Sequence, residues 1–181
     1  MIRPGQTRAR RSHAAAAAAM FLCGIGLSGC HGSNTKNGEP VHEDAMKSKI
    51  IDVSRTVLTI TGIKLNGSAG LTFGSCTDDN VKPFRATVTT SFLGKSTLAD
   101  SEHQVEGWVT KLRAHGWADV GGIHDSTTRY LQGPDRFSIA ITPHLDPAVQ
   151  GGADLVIASD CVITDDVGNS PGFDVTGQLQ P

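Results

Sequence analysis

The 181-residue sequence lacks several features that mark common functional classes. No run of 18 apolar residues is present, so the sequence offers no helix long enough to span a bilayer. Its 16 basic and 18 acidic residues lack the basic excess that is typical of a nucleic-acid-binding protein. Aromatic residues make up only 5%, yet apolar residues reach 38%, which is too many for a wholly disordered chain. The length then predicts one globular domain.

Catalytic motifs are also scarce. We find no Gly-rich phosphate loop, no Gly-x-Ser-x-Gly elbow, no His-Glu-x-x-His helix and no calcium loop of the Asp-x-Asp-x-Asp-Gly type. We therefore expect no catalytic residue, no cofactor and no metal. The alternative is an envelope hydrolase that uses His124 or His144 with nearby acids, since His124 precedes Asp125 and Ser126.

The first 29 residues resemble a secretory signal peptide. Residues 1–13 contain four arginines and no acid, and an uncharged, alanine-rich run follows from Ala14 to Gly29. The run leads into Leu-Ser-Gly-Cys at residues 27–30, which resembles the bacterial lipobox. That resemblance implies cleavage between Gly29 and Cys30, and a diacylglyceryl group, such as one carrying palmitate, on the Cys30 sulfur. The alternative is an ordinary secreted protein in which Cys30 is free or disulfide-paired.

These features predict a lipid-anchored protein on the extracytoplasmic face of the cell membrane. Removal of the leader leaves 12 basic and 18 acidic residues, so the mature chain carries a net charge of −6. We do not expect an acidic chain to bind nucleic acid or anionic lipid surfaces through its charge, so the anchor must provide the attachment. The lipidated cysteine and the polar residues up to position 42 form a flexible tether (residues 30–42), with a typical span of about 20 Å. Arg10-Arg11 leaves the choice between general and twin-arginine export open.

Two cysteines remain beyond the lipobox, Cys76 and Cys161. Export would place them in an oxidising compartment, where a single intramolecular pairing is available. We predict a Cys76–Cys161 disulfide. A redox or metal pair is the alternative, but neither cysteine lies in a Cys-x-x-Cys motif or has a histidine at ligand spacing.

Two helices are predicted in the mature chain. From Glu43 to about Ile60 the apolar residues recur at intervals of three and four, although the β-branched residues 56–61 are also compatible with a strand. The second helix begins at Thr97 or Asp100 and ends before Gly116, with Trp117 placed to contact Leu112 in a Schellman ending.

The remaining elements predict an α+β fold. Strands at hairpin spacing, without crossover helices, indicate a mainly antiparallel sheet of four to five strands with two helices packed on one face. One disulfide closes the domain, which we expect to span residues 43–164, followed by a poorly ordered tail at 165–181. The segments with strand character are residues 69–73, 85–93, 117–125, 127–131, 136–142 and 154–163.

Four aromatic residues are candidates for a ligand pocket: Trp108, Trp117, Phe92 and Phe137. Each falls on the apolar side of its predicted element, so the alternative is that they belong to the core.

Taken together, the lipobox, the polar tether, Gly116-Trp117 after a helix, the turn before an alternating strand and Cys161 in the last strand resemble a known family. They resemble the small lipoproteins of mycobacteria and related actinobacteria, in particular the LppA-like lipoprotein family. The resemblance implies a cell-envelope lipoprotein and carries over no catalytic residue. The function we expect is a non-catalytic binding domain for an envelope protein or a small apolar ligand. The identity of that ligand and the oligomeric state stay open.

Overall fold

The structure is a computed structural model that describes residues 41–77, 81–93, 97–120, 127–143, 152–163, 165, 167 and 172–180. The predicted leader, including Gly29 and Cys30, and the tether up to residue 40 lie outside these residues. No helix within the described ranges is both long enough and apolar enough to cross a membrane.

Helix α1 covers Glu43–Thr61, as the apolar periodicity predicts. Its inner side buries residues such as Ile50 and Val57, both fully inaccessible to solvent. The helix ends at Gly62, whose positive φ of 76° suits a residue without a β-carbon, and the Gly62 N–H donates to the Leu58 carbonyl. The strand alternative for residues 56–61 is therefore wrong, because the whole segment lies within the helix.

Helix α2 covers Leu98–Ala114 and has both predicted end signals. Thr97 is the N-cap, and its side chain and that of Asp100 form a capping box. At the other end Gly116 has a φ of 87°, and the N–H groups of Gly116 and Trp117 donate to the carbonyls of Arg113 and Leu112. This is the Schellman geometry, with Trp117 placed as predicted.

The described residues form a seven-stranded sheet as the other layer. The pairings between its named strands are antiparallel, and the strand order is β3-β4-β5-β6-β2-β1-β7. The antiparallel prediction is confirmed, but the predicted strand number of four to five was too low. The strands are β1 Ala69–Ser75, β2 Phe84–Leu93, β3 Ala118–Asp119, β4 Arg129–Gln132, β5 Ser138–Pro143, β6 Gly152–Ala158 and β7 Phe173–Asp174.

The register places one apolar row across the middle of the sheet. Leu71 on β1 lies opposite Val88 on β2, which lies opposite Ile157 on β6, and Ile157 faces Ile139 on β5. All four side chains are buried. Both α1 and α2 contact β6, α1 also packs against β2 and α2 against β5, so the two helices cover this row.

The segment predicted to be a poorly ordered tail contains regular structure instead. Its residues form β7 and a third helix, α3, at Thr176–Leu179. Val167, Val175 and Leu179 are buried in the core. The prediction failed because these apolar residues are too widely spaced to show a helical or strand period.

Three contacts with α1 hold this C-terminal segment in place. The Glu43 N–H donates to Asp165 Oδ2 at 2.6 Å. The Lys47 ammonium lies 4.1 Å from the centre of the Phe173 ring, and Arg55 Nε donates to the Gln178 carbonyl at 2.6 Å. The segment therefore follows α1 from its first turn to its last third.

The Cys76–Cys161 disulfide is confirmed. It joins the residue after β1 to a residue beyond β6, and the two positions are 85 apart in the chain. Such a bridge restricts the unfolded chain over nearly half of the sequence.

Removing this bridge should destabilise the domain strongly. For Cys76→Ala/Cys161→Ala we expect a loss of about 4–5 kcal/mol in the free energy of unfolding, the chain-entropy value for a loop of this length. Urea unfolding followed by circular dichroism measures the loss. The reduced wild-type chain should match the double variant. Equal midpoints for the oxidised wild type and the variant would contradict the prediction.

Gly133 lies directly against the Trp117 ring. A β-carbon at position 133 would come within 2.5 Å of Trp117 Cε3. Gly133→Ala should therefore cost about 1–3 kcal/mol through overpacking. The matched control is Gly107→Ala in α2, where no atom lies within 4 Å of the added carbon. That variant should be more stable by about 0.5–1 kcal/mol. Thermal unfolding of both distinguishes them, and an unchanged Gly133→Ala would contradict the packing described.

Three aspartates hold helix N-termini, and each has its pKa lowered from the usual range. The Thr97 side chain and backbone lower the pKa of Asp100. The backbone N–H of Glu43, followed by the His42 side chain, lowers the pKa of Asp165. The Thr176 side chain and backbone lower the pKa of Asp174. In each case the carboxylate accepts hydrogen bonds that favour its ionised form.

Stability should consequently fall in acid. Because the pKa of Asp165 is lower in the folded chain, its contribution is complete above the ordinary aspartate value near 3.9 and is lost as pH falls through the folded value. Asp165→Asn should flatten this part of the pH profile of unfolding. The matched control is Asp44→Asn, which removes one negative charge from the first turn of α1. It leaves the hydrogen bond from the Glu43 N–H to Asp165 in place. An Asp44→Asn profile as flat as that of Asp165→Asn would contradict the assignment.

Candidate functional site

The four aromatic residues proposed as a pocket are buried in the core. Trp108, Trp117, Phe92 and Phe137 are each no more than 8% exposed. All four belong to one hydrophobic core cluster, in which Phe92 packs edge-to-face on Trp108 and Trp117 packs against Gly133. The core alternative therefore describes these residues, and the pocket must be sought elsewhere.

Both histidine candidates, His124 and His144, lie outside the described residues. Within them, His42 Nδ1 lies 3.1 Å from Asp165 Oδ1, and His115 Nδ1 lies 2.8 Å from the Lys111 carbonyl. No group of three or more potential metal ligands occurs among the residues searched, which are the described ones.

A cleft formed by described residues lies where α1 ends. It has a volume of about 710 Å³ and lies between the last turns of α1, the chain after Gly62 and the C-terminal segment. We call it the α1–α3 cleft. The residues that line it are Arg55, Leu58, Thr59, Ile63, Lys64, Leu65, Leu179 and Gln180.

The floor of the α1–α3 cleft is aliphatic. Leu58 and Leu179 are buried core residues, contributed by α1 and α3. Beyond Gly62 the half-buried Ile63 and Leu65 alternate with the exposed Lys64. This alternation directs the two aliphatic side chains toward the core and the lysine toward solvent, as expected for extended backbone.

The rim of the cleft is cationic. Arg55 Nη1 pairs with Asp52 Oδ1 at 2.9 Å, and its Nε is bonded to the Gln178 carbonyl. Lys64 is exposed and forms no ion pair with any described residue. None of the described residues that line the cleft is acidic, although the chain beyond residue 29 has a net charge of −6. The cleft is thus a local exception to the charge of the domain.

Both walls of the cleft are fixed by hydrogen bonds. Lys111 Nζ on α2 donates to the Thr61 carbonyl at 2.9 Å, which satisfies a free carbonyl at the end of α1. On the other side the Ala69 N–H donates to Thr176 Oγ1 at 2.8 Å, and the Val175 N–H donates to the Ala69 carbonyl. Strand β1 therefore holds α3 opposite α1.

A second cleft of about 420 Å³ lies beside α2 and β4. It is lined in part by Glu102, His103, Glu106, Thr127 and Arg129, residue types that can carry out acid–base chemistry. Glu106, however, is held in an ion pair by Arg129. His103 is exposed and receives no orienting hydrogen bond from the described residues.

Sequence reasoning missed the α1–α3 cleft. Its lining comes from three separate stretches, and Leu179 lies in the segment that was expected to be disordered. A partial signal was available, because Ile63-Lys64-Leu65 alternates immediately after the Gly62 helix stop.

The class of protein can now be compared with known families. The model of the family described as "Putative lipoprotein LppJ" matches residues 42–177, which include α1, α2 and the cysteine pair. No curated protein and no solved structure matches the chain.

The chain therefore belongs to the LppJ lipoprotein family. The expectation of a lipoprotein family is confirmed, whereas the family matched is LppJ rather than the LppA-like one to which the sequence was compared. Membership supports attachment to a membrane of the cell envelope.

Proposed function

We propose that this protein is a lipid-anchored binding domain on the extracytoplasmic face of the cell membrane. It holds a ligand in the α1–α3 cleft and performs no chemistry on it. The observation that carries the proposal is the cleft itself, which combines an aliphatic floor, a cationic rim and walls fixed by hydrogen bonds. Its volume lies within the range of about 300–1,000 Å³ that is usual for small-molecule sites.

The anchor is the Cys30 thioether. Two observations support it: the chain belongs to a lipoprotein family, and Leu-Ser-Gly-Cys at 27–30 follows a basic and then an apolar segment. Two acyl chains on one cysteine bind a bilayer stably, which a single chain does not. The acidic mature chain makes attachment through surface charge unfavourable.

The cleft lies far from the point where the tether joins the domain. Val41 begins the described chain, and its N–H bonds the Val162 carbonyl beside the first turn of α1. The 19 residues of α1 span about 28 Å at 1.5 Å each, and the cleft lies at their far end. A domain tethered through Val41 can therefore present the cleft away from the bilayer.

Substitution of the anchoring cysteine tests the proposal. Cys30→Ser in the full chain, expressed in a bacterium with a lipoprotein pathway, should abolish acyl labelling and prevent leader cleavage by the lipoprotein peptidase. Labelling with a palmitate analogue and the mass of the N-terminus measure both effects. Cys23→Ser is the matched control, because Cys23 lies within the predicted leader, and its labelling should equal that of the wild type. Acyl labelling that persists in Cys30→Ser would overturn the anchor.

A further inference from the structure

We infer that the α1–α3 cleft takes an anionic amphiphile, an alkyl or acyl chain that ends in a single carboxylate or phosphate group. The inference rests on the proposed function, since it names the ligand class of the same cleft. The ligand class follows from the separation of two features within the cleft, its cationic rim and its aliphatic floor.

The charge selects an anion. Lys64 has no carboxylate partner among the described residues, so its ammonium can bind an incoming anion without first breaking an ion pair. Arg55 uses Nε and one N–H on Nη1 for the Gln178 carbonyl and Asp52, which leaves the remaining guanidinium N–H groups for a ligand. A cationic ligand would meet Lys64 and the guanidinium of Arg55, whose partner Asp52 is not among the described residues that line the cleft.

The floor selects an aliphatic chain. Leu58, Ile63, Leu65 and Leu179 present branched aliphatic side chains, and the lining contains no aromatic ring on which a sugar or a base could stack. Apart from Arg55 and Lys64, the polar residues among those described as lining the cleft are Thr59 and Gln180. Thr59 Oγ1 already donates to the Arg55 carbonyl at 2.9 Å. An extended polar ligand would therefore find few partners in this cleft.

The location favours an amphiphile that is free rather than embedded in the bilayer. The cleft lies at the far end of α1 from Val41, where a tether of about 20 Å would join the domain. A headgroup that stays in the membrane could enter the cleft only when the domain turns the far end of α1 toward the bilayer. A monomeric amphiphile released into the envelope has no such constraint.

The test titrates decyl phosphate and decanoate, below their micelle concentrations, into the chain that starts at His31 and keeps its disulfide. Every core residue lies between Met46 and Leu179, so this chain retains the whole core. Calorimetry should show binding of both anions, with affinity rising about two- to fourfold for each added methylene. Decyltrimethylammonium and decyl maltoside should bind at least tenfold more weakly.

Two variants assign the binding to this cleft. Lys64→Gln should weaken decyl phosphate binding about two- to fivefold, whereas Lys82→Gln, an exposed cation near Asp165 at the other end of α1, should not. Thr59→Trp keeps the charges, fills the cleft from an exposed helix position and should abolish the dependence on chain length. Circular dichroism confirms that each variant folds.

Several outcomes would overturn the inference. These are equal affinity for the cationic and anionic amphiphiles, no change in Lys64→Gln, or binding only to phosphatidylglycerol vesicles and not to the monomers. None of these results depends on Cys30, which this chain lacks. Failure of the ligand class is therefore distinguishable from failure of the anchor, which the acyl-labelling experiment measures.

Discussion

The packing of α1 against the interior strand β2 is the interaction on which the rest of this structure depends. Ile50 and Val57 on the helix, and Ala86 and Val88 on the strand, are inaccessible or nearly so. Each large aliphatic side chain buried in this way contributes about 1.5–3 kcal/mol. The position of α1 in turn determines where the C-terminal segment can lie, because Glu43, Lys47 and Arg55 all contact that segment. Without α1, the segment would lose three contacts together. These are the Glu43 N–H bond to Asp165, the Lys47 contact with the Phe173 ring and the Arg55 bond to the Gln178 carbonyl.

Each end of α1 is held by groups that are distant in sequence. Asp165 accepts the Glu43 N–H at the start, where the N-cap residue His42 forms no capping bond with its own side chain. Lys111 binds the Thr61 carbonyl at the end. The two groups occupy the positions that the helix dipole favours, an anion at the N-terminus and a cation at the C-terminus. The two ends of α1 are thus stabilised by the C-terminal segment and by α2, and both of these pack against α1.

Much of this fold could be predicted, because its signals are local. The 3.6-residue period of α1, the capping box at Thr97 and the Gly116-Trp117 ending each depend on residues within one or two turns. The Cys76–Cys161 bridge followed from parity and compartment. By contrast, β7 is only two residues long, too short to show any alternation. Its pairing is determined by the neighbouring strand β1, and α3 likewise depends on its contacts with β1 and α1.

The site could not be predicted for a related reason. The four aromatic residues were candidates because aromatic side chains often line ligand pockets. Large apolar side chains, however, are also the ones most readily buried in a core. The α1–α3 cleft uses ordinary residues, two cations and four aliphatic side chains, brought together from three stretches of chain. What distinguishes it is a combination visible only in three dimensions. Acids outnumber bases in the chain beyond residue 29, yet the described lining of the cleft holds two cations, Arg55 paired with Asp52 and Lys64, above aliphatic side chains that are buried or half-buried. An anionic chain bound in the cleft would place its charged group beside Lys64 and its apolar part against these side chains.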